Sequence, residues 1–390
     1  MLDCEDRRPA GEKGHWRGFG AGIEVDVGWL CRAEKQQATT MEMAMRRSRT
    51  ILAMMAMMLV VSACGNGEEP ADPAEPDEDT EEAPEEDPET DDDPEEASLT
   101  IGFSQVTQAS PFYVDLGQGA QDAAEELGHD MIFLDADGDE TTQNNDVADL
   151  ITQGVDALII NPVDPEAVAP ALRDAEAAGI PVITVDRPVE GEGVVAHVGR
   201  DNVEMGRVVG EALAERLDDG AKVIEIQGDA GGIVMRDRRD GFNEALETAG
   251  DFEMVEGPYA EYIRAEAVTA MQDLLEAHPD VDAVYAHNDD MAMGALQVLQ
   301  DAGNDEALVA GVDGLMEALE AMDEGDQYVA TALNDPVYLG QLTVDAAVAA
   351  AQGEDVPEEI DAGTQAVTPE NVAEFVGDTT FGAYEPEMDF

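Results

Sequence analysis

The stretch Ala157–Arg187, ALIINPVDPEAVAPALRDAEAAGIPVITVDR, contains a complete strand–helix–strand unit. Its two strand candidates, Ala157–Ile160 and Val182–Val185, are continuous apolar runs, which are typical of parallel strands covered on both faces. Between them, Ala167–Ala178 has the pattern of an amphipathic helix, and Gly179 stands where that helix should end. Such a unit returns the chain to a parallel strand through a right-handed crossover. The stretch therefore predicts an α/β fold with a doubly wound parallel sheet.

The same alternation of short β-rich runs and helical stretches continues on both sides of this unit. The other predicted strands are Leu99–Phe103, Met131–Leu134, Val194–Val198, Lys222–Ile226, Phe252–Val255, Ala283–Ala286, Leu308–Val312 and Val329–Ala332. Further predicted helices are Val114–Leu127, Val147–Gln153, Glu204–Leu217 and Phe242–Ala249, with Gly128, Gly154 and Gly250 at helix ends. Ten strands are many for one such sheet, and the 293 residues from Ser98 onward exceed one typical domain. We therefore expect two α/β lobes.

An export signal is predicted ahead of the folded part. A basic patch at residues 46–49 precedes the apolar run Ile51–Val61, which is too short for a transmembrane helix of ~20 residues. The run ends in Ser-Ala-Cys64, which looks like a bacterial lipobox, where the thiol is acylated and the signal is cut before it. We expect residues 41–63 to be a lipoprotein signal peptide and Cys64 to be lipidated. The alternative is an ordinary secretory signal with an incidental cysteine.

Residues 1–40 have no periodic apolar pattern, and a signal peptide should start near its basic patch. We therefore expect translation to start at Met41, Met43 or Met45, with residues 1–40 a mis-assigned or disordered N-terminus. Of the three cysteines, the mature protein would then keep only Cys64. This excludes an intramolecular disulfide and argues against thiol-based metal sites and cysteine catalysis.

An acidic stalk is predicted between the anchor and the lobes. Gly65–Ala97 holds eighteen Asp or Glu, six Pro and no Lys or Arg, and it has almost nothing apolar to bury. Such a segment cannot offset its ordering entropy, and its like charges and prolines keep it extended. We expect residues 64–97 to hold the lobes away from a membrane outside the cytoplasm.

The folded part is also strongly acidic, with 64 acidic and 10 basic residues from Ser98 onward. Such a surface repels nucleic acid and anionic lipid, so neither is an expected partner. The charge strains a compact state unless salt screens it, which indicates a halophilic source. The alternative is an acidic exported protein from an ordinary habitat.

Ligands of open parallel sheets bind beyond the carboxyl ends of the strands, so the residues there are the candidate site. They are Ser110, Phe112, Tyr113, Asp186, Arg187, Arg236, Tyr262, Asn288, Asp313 and Asn334. Aromatic rings can pack on the apolar faces of a sugar ring, while Asp, Arg and Asn accept from and donate to its hydroxyls. The sequence has no Gly-x-Ser-x-Gly elbow, paired His or phosphate loop. The pattern favours sugar binding over catalysis, with no cofactor and no metal.

Six ordered segments carry a resemblance to a known family. They are Ser110–Tyr113, Leu158–Asp164, Ile180–Arg187, Ala277–Val281, His287–Gly294 and Gly311–Gly314. At these residues the chain resembles the periplasmic sugar-binding proteins of ABC importers, most of all the ribose-binding type. The resemblance implies the type I periplasmic binding fold, in which two Rossmann-like lobes with parallel sheets are joined by a three-strand hinge and close on a monosaccharide.

The resemblance also implies how the chain is divided and what it meets. One lobe would comprise residues 98–200 and 335–363, the other residues 201–334 and 364–378, with residues 379–390 as a tail. The chain would cross between lobes near Arg200–Asp201, Asn334–Asp335 and Gly363. We expect a monomer that binds a monosaccharide, delivers it to an ABC permease and is held at the membrane by its lipid.

The resemblance assigns roles to the candidate residues. Phe112 and Tyr113 match the aromatics that sandwich the sugar, and Tyr262 matches a third aromatic, usually Phe. The polar matches are the Asp186–Arg187 pair, the second arginine at Arg236, and the second-lobe ligands Asn288 and Asp313. Ser110 and Asn334 depart from the Asn and Gln of the ribose type. Both side chains are shorter, so a related pentose or slightly larger sugar is an alternative to ribose.

Simpler interpretations stand beside these roles. Phe112 could be a core residue, Asp186 could cap a helix, and Arg187 could form a surface ion pair worth ~0–1 kcal/mol. Two of the arginines in Arg236–Arg239 are expected to be solvated or paired with local Asp. The acidic residues in Asp135–Asp139 resemble part of a calcium loop, but the rest of the loop is absent, which favours an acidic turn.

Three other functions are alternatives to transport. A sugar-responsive transcription regulator, which shares this two-lobe fold, would need a basic helix-turn-helix where this chain has the lipobox and stalk. A receptor that presents a sugar or signalling molecule to a sensor kinase or chemoreceptor remains an alternative to transport. A glycosidase would need two opposed carboxylates, which Asp186 and Asp313 could supply, although their arginine and amide neighbours suit binding better.

Overall fold

A computed structural model describes residues 98–189, 191, 193–325 and 327–386 of the chain. Its strands are β1 (Thr100–Gln105), β2 (Asp130–Asp135), β3 (Ala157–Ile160), β4 (Val182–Val185), β5 (Ala196–Gly199), β6 (Lys222–Gln227), β7 (Glu253–Tyr259), β8 (Ala283–Ala286), β9 (Leu308–Ala310), β10 (Tyr328–Ala332), β11 (Glu359–Asp361) and β12 (Ala366–Val367). Its helices are α1 (Pro111–Glu126), α2 (Glu140–Gln153), α3 (Ala169–Ala178), α4 (Asn202–Ala214), α5 (Ile233–Ala249), α6 (Arg264–Ala277), α7 (Asp289–Asp301), α8 (Met316–Glu324), α9 (Pro336–Gln352) and a 3-10 turn at Val372–Glu374. The predicted signal peptide, the lipidated Cys64, the acidic stalk and the last four residues lie outside the described residues.

The strands form two six-stranded sheets, in the orders β2-β1-β3-β4-β5-β11 and β7-β6-β8-β9-β10-β12. Every paired strand runs parallel to its neighbour except β12, which lies antiparallel to β10. Central strands such as β3 and β8 are buried along their whole length, as continuous apolar runs between two helical layers should be. The predicted α/β fold with two parallel-sheet lobes is confirmed.

The chain passes between the two sheets three times, and Arg200 joins all three crossings. These lie between β5 and α4, between β10 and α9, and between β11 and β12. The Arg200 guanidinium donates to the carbonyl oxygen of Ala362 at 2.9 Å and to that of Asp335 at 3.0 Å, and it also contacts the Gly363 carbonyl. Burial lowers the pKa of Arg200 to about 10, and nearby Asp335 opposes this. One buried side chain therefore ties the three crossing segments together.

Helix starts are where the sequence prediction and the structure differ most. Helix α2 begins at Glu140, seven residues before the predicted start at Val147, because its first two turns are polar and carry no apolar period. The Asp139 side chain caps it by accepting from the Thr142 amide at 2.7 Å. Helix α5 likewise begins at Ile233, nine residues before the predicted start at Phe242. The short strands β11 and β12 were not predicted, because two or three residues hold no period.

Helices α4 and α5 cross at short range because each carries a glycine that faces the backbone of the other helix. A Cβ on Gly241 would overlap the carbonyl oxygen of Val203, and one on Gly206 would overlap that of Arg238. This close crossing fixes where α5 carries its side chains relative to the second sheet. No helix among the described residues is long and apolar enough to span a membrane.

We predict that Gly241→Ala lowers the free energy of unfolding by about 1–3 kcal/mol, because the added methyl group must push α4 and α5 apart. Gly377→Ala is the matched control, since a Cβ there meets nothing within 4 Å. Urea titration of both variants checks the prediction. Equal stability of the two variants would show that the crossing yields without strain.

Candidate functional site

A small cavity of about 20 Å³ lies between the two sheets, and nine of the ten predicted site residues line it. They are Ser110, Phe112, Tyr113, Asp186, Arg187, Tyr262, Asn288, Asp313 and Asn334. Two residues that were not predicted, Val234 and Arg238, complete the lining.

The first lobe contributes an aromatic wall and an arginine. Ser110 occupies the N-cap of α1 and Pro111 its first position, which places Phe112 and Tyr113 in the first helical turn above β1. Arg187 follows β4, donates through Nη2 to the Tyr113 hydroxyl at 2.9 Å and lies 5.8 Å from the Tyr113 ring centroid. It also donates to the Val163 carbonyl at 3.3 Å. These contacts hold the guanidinium beside the Tyr113 ring.

Asp186 occupies a strained position at the end of β4. Its φ of 62° lies in the left-handed region, which is uncommon for residues other than glycine and typical of functional sites. The Asn161 amide approaches its carboxylate at 3.5 Å. Burial raises the pKa of Asp186, while Arg187 and Arg238 oppose that rise. The backbone strain aims this carboxylate into the cavity, where a ligand hydroxyl can reach it.

The second lobe presents its own arginine–aspartate pair. Arg238 of α5 lies with Nη2 3.3 Å from the Asp313 carboxylate, and both side chains are buried. Arg238 also donates to the Asn202 side chain at 2.9 Å and to the His287 carbonyl at 2.6 Å. The Asn334 amide donates to the same Asp313 oxygen at 3.0 Å. The pair is thus held on several sides, as a buried charge requires.

Asp289 holds the loop that carries Asp313. Its carboxylate accepts from the Leu315 amide at 2.8 Å, the Tyr328 hydroxyl at 2.6 Å and the Thr331 hydroxyl at 2.9 Å. Asp313 itself has φ 118°, so this loop is strained as well. Burial raises the pKa of Asp289 to about 6 and that of Asp313 to about 7.

Tyr262 and Asn288 close the remaining side of the cavity. Tyr262 has a left-handed φ of 60°, and its buried hydroxyl has no hydrogen-bond partner among the described residues. The Asn288 side chain caps α7 through the Met291 amide at 2.9 Å and donates to the Tyr262 carbonyl at 3.3 Å. A buried hydroxyl without a partner costs free energy, so the free Tyr262 hydroxyl points to a polar ligand.

Arg236 is the predicted site residue that the structure places elsewhere. Its side chain is 52% exposed and pairs with Asp237 at 3.2 Å, whereas the Arg238 side chain is 4% exposed. Residues two apart on a helix point about 200° apart, so only one of these two arginines can face the cavity. The helical spacing of Val234, Arg238 and Phe242, four residues apart, could have identified the buried arginine.

The structure bears on two of the simpler interpretations, those of Phe112 and of the Asp135–Asp139 segment. Phe112 is both core and cavity wall, since it is buried among apolar residues and also lines the pocket. The Asp135–Asp139 segment is an acidic turn in which Asp135 accepts from the Asp137 amide at 2.9 Å and Asp139 caps α2. Among the described residues, no group of three or more His, Cys, Asp or Glu is arranged to hold a metal ion.

Two lobes that each place an arginine, an aspartate and aromatic residues on one cavity are typical of a solute-binding protein. The chain belongs to the periplasmic binding protein family, because the family model described as periplasmic binding protein domain matches residues 101–355. It is a binding protein and not an enzyme, so the glycosidase alternative is set aside.

Individual relatives agree with this assignment. The chain is 40% identical over 260 residues to the ribose import binding protein RbsB of Escherichia coli, covering 67% of this chain and 87% of the relative. It is 32% identical over 270 residues to a xylitol-binding protein of Mycolicibacterium smegmatis, covering 68% and 76%. A solved ABC transporter solute binding protein from Mycobacterium smegmatis with bound glycerol superposes with a TM-score of 0.72 at 57% identity, covering 74% of this chain and all of the other.

We predict that Arg238→Gln weakens ligand binding more than tenfold, because a hydrogen bond to a charged group contributes about 1.5–3 kcal/mol. Arg236→Gln, the matched control two residues away, should stay within twofold of the wild type. Calorimetric titration of both variants, with circular dichroism to establish folding, checks this. Equal losses in the two variants would contradict the assignment of Arg238 to the cavity.

We also predict that ligand affinity falls as the pH is lowered from 8 to 5.5. The raised pKa of Asp313, about 7, means that its carboxylate gains a proton in this window and loses a charge-assisted hydrogen bond to a ligand hydroxyl. The pH dependence of folding stability has the opposite sign. Because the pKa of the Asp313 carboxyl is raised in the folded protein, this group makes the free energy of unfolding of the free protein larger at low pH than at high pH. Titrations at several pH values check it, and Asp313→Asn should bind more weakly with a flatter profile.

Proposed function

We propose that this protein captures a monosaccharide between its two lobes and delivers it to an ABC import permease. The observation that carries the proposal is that each lobe places one arginine and one aspartate on the same small cavity. Asp186 and Arg187 come from one lobe, Arg238 and Asp313 from the other. Carboxylates accept from hydroxyls and guanidinium groups donate to their oxygens, so a rim of hydroxyls can satisfy both pairs at once.

The aromatic residues supply the other half of sugar recognition. Phe112 and Tyr113 stand edge to face, with ring centroids 5.6 Å apart and an interplanar angle of 81°. Tyr262 lines the cavity from the second lobe. Rings on both lobes can cover the apolar C–H faces of a sugar while the polar groups reach its rim. The free Tyr262 hydroxyl then gains a partner from the ligand.

Closure follows from the distribution of these groups. Neither lobe alone supplies the full set of hydrogen bonds, so a bound sugar completes them only when the lobes are together. The ligand's higher affinity for the closed arrangement is what shifts the population toward it. The three crossings joined by Arg200 are the segments at which such a hinge motion would occur. The closed surface is the form that a permease would then bind.

A ribose-like pentose or a related sugar is the ligand class that we propose. Relatives named for ribose import and xylitol binding support five-carbon polyhydroxyl ligands, and the solved relative holds glycerol. The side chains of Ser110 and Asn334 are shorter than the Asn and Gln of the ribose type, so a related pentose or a slightly larger sugar is an alternative to ribose.

We also propose that the protein works outside the cytoplasm as a monomer anchored by lipid at Cys64. The support is the basic patch, the short apolar run, the Ser-Ala-Cys64 string and the acidic segment 65–97, together with membership of the periplasmic binding family. Two or more acyl chains on one cysteine would make the anchor firm where a single chain would be marginal. The excess of acidic residues favours a salt-rich habitat.

A thermal-shift screen in molar salt tests the proposed function. The panel is D-ribose, L-arabinose, xylitol and myo-inositol, and a ligand present at 100 times its Kd should add about 2.7 kcal/mol to stability. Asp186→Ala should lose the shift for the best ligand, while Asp174→Ala, at an exposed position on α3, should keep it. No shift with any member of the panel, in a protein shown to be folded, would overturn the proposal.

A further inference from the structure

The segment Thr379–Pro386, which we name the C-terminal strap, packs against the cleft although it lies beyond the matched family region, which ends at residue 355. It is attached to the second lobe through its backbone. The Met316 amide donates to the Thr380 carbonyl at 2.7 Å, and the Gly382 amide donates to the Gly314 carbonyl at 2.8 Å. The strap thus borders the loop that carries Asp313.

The same strap reaches the first lobe and the crossings. The Thr380 side chain lies close to Asp115 of α1 and opposes the rise that burial causes in the pKa of that carboxyl. The Tyr384 amide donates to the Asp335 side chain at 3.2 Å, in one of the three crossings. The Tyr338 hydroxyl of α9 donates to the Pro386 carbonyl at 3.3 Å. A segment of eight residues therefore bridges both lobes and the hinge.

Phe381 belongs to the strap and contacts the cavity-lining residue Phe112. Its ring stands edge to face against Phe112, with centroids 6.1 Å apart and an interplanar angle of 88°. It is buried, and its backbone pairs with Leu315, two residues from Asp313. Phe112 in turn stands edge to face against Tyr113. Phe381 thus connects the aromatic wall of one lobe to the charged loop of the other.

We propose that Phe381 is a positioning residue for sugar binding, through which the strap holds the Phe112 wall against the Asp313 loop and favours the closed arrangement. The ligand in this inference rests on the proposed function, whereas the contacts of the strap do not depend on it. Loss of the ring removes an aromatic pair and frees both sides of the cavity to relax. The expected consequence is weaker binding through faster release, in addition to any loss of stability.

The test compares Phe381→Ala with Phe375→Ala in the full chain, using D-ribose as the probe. Phe375 is an aromatic six residues upstream that packs on the apolar core beside the 3-10 turn. We expect Phe381→Ala to raise the Kd by about 2- to 12-fold, the range for one aromatic pair. Phe381→Leu, which keeps bulk but not the ring, should fall between Phe381→Ala and the wild type. Phe375→Ala should lower the melting temperature and leave the Kd unchanged.

Hydrogen exchange of the ligand-free protein separates this inference from the proposed function. The Val114 amide donates to the Ser110 carbonyl at the start of α1, and the Met316 amide donates to the strap. Phe381→Ala should speed exchange at both amides, and Phe375→Ala should leave Val114 unchanged. Failure of wild type to bind D-ribose would count against the proposed ligand alone. Unchanged Val114 exchange, or equal Kd values for Phe381→Ala and wild type where wild type binds, would overturn the role of Phe381.

Discussion

The structure depends on two arginines, Arg187 and Arg238, that are held by partners in the cleft between the lobes. A buried charge that loses its partner destabilises a protein by about 3–5 kcal/mol, so each arginine must be held by its neighbours. Arg238 is held by Asp313, Asn202 and the His287 carbonyl. Arg187 is held by Tyr113 and the Val163 carbonyl, and it approaches Asp229 of the opposite lobe at 3.5 Å. The α/β framework places these groups, and their unused hydrogen-bonding capacity makes the ligand site.

That framework reaches the site through a few backbone devices. Parallel strands bring their carboxyl ends to one edge of each sheet, so the polar loops after β4, β8 and β9 converge there. Left-handed φ angles at Asp186, Tyr262 and Asp313 turn three side chains inward, at a cost of about 1–3 kcal/mol each. The close crossing of α4 and α5 fixes the position of Arg238 relative to the second sheet. Rigidity around the cavity therefore comes from elements that make no ligand contact themselves.

Much of this could be predicted from the sequence, for identifiable reasons. Buried parallel strands are continuous apolar runs, so β3, β4 and β8 were predicted with the bounds that the structure has. The site residues that directly follow these strands could then be predicted, because ligands of parallel sheets bind beyond the carboxyl ends of the strands. The predictions failed at one helix face and at the shortest strands. Arg236 was predicted in place of Arg238 because the resemblance alone does not show which of two nearby arginines faces inward. Strands β11 and β12 were missed because they are too short to show a period.

The role of the chain end was beyond sequence reasoning as well. Thr379–Pro386 has no strand or helix pattern, and its position depends on isolated backbone contacts with Gly314 and Met316. Such contacts leave no periodic trace, and only the fold brings the segment beside Phe112.

A crystal structure of the protein with the best ligand of the panel would show directly whether both lobes bind it. We expect one ligand molecule in the cavity, in contact with Asp186 and Arg187 of one lobe and with Arg238 and Asp313 of the other. Phe112 should pack on an apolar face of the ligand, and Arg236 should remain at the surface. A ligand bound to one lobe only, or outside this cavity, would contradict the proposed binding site.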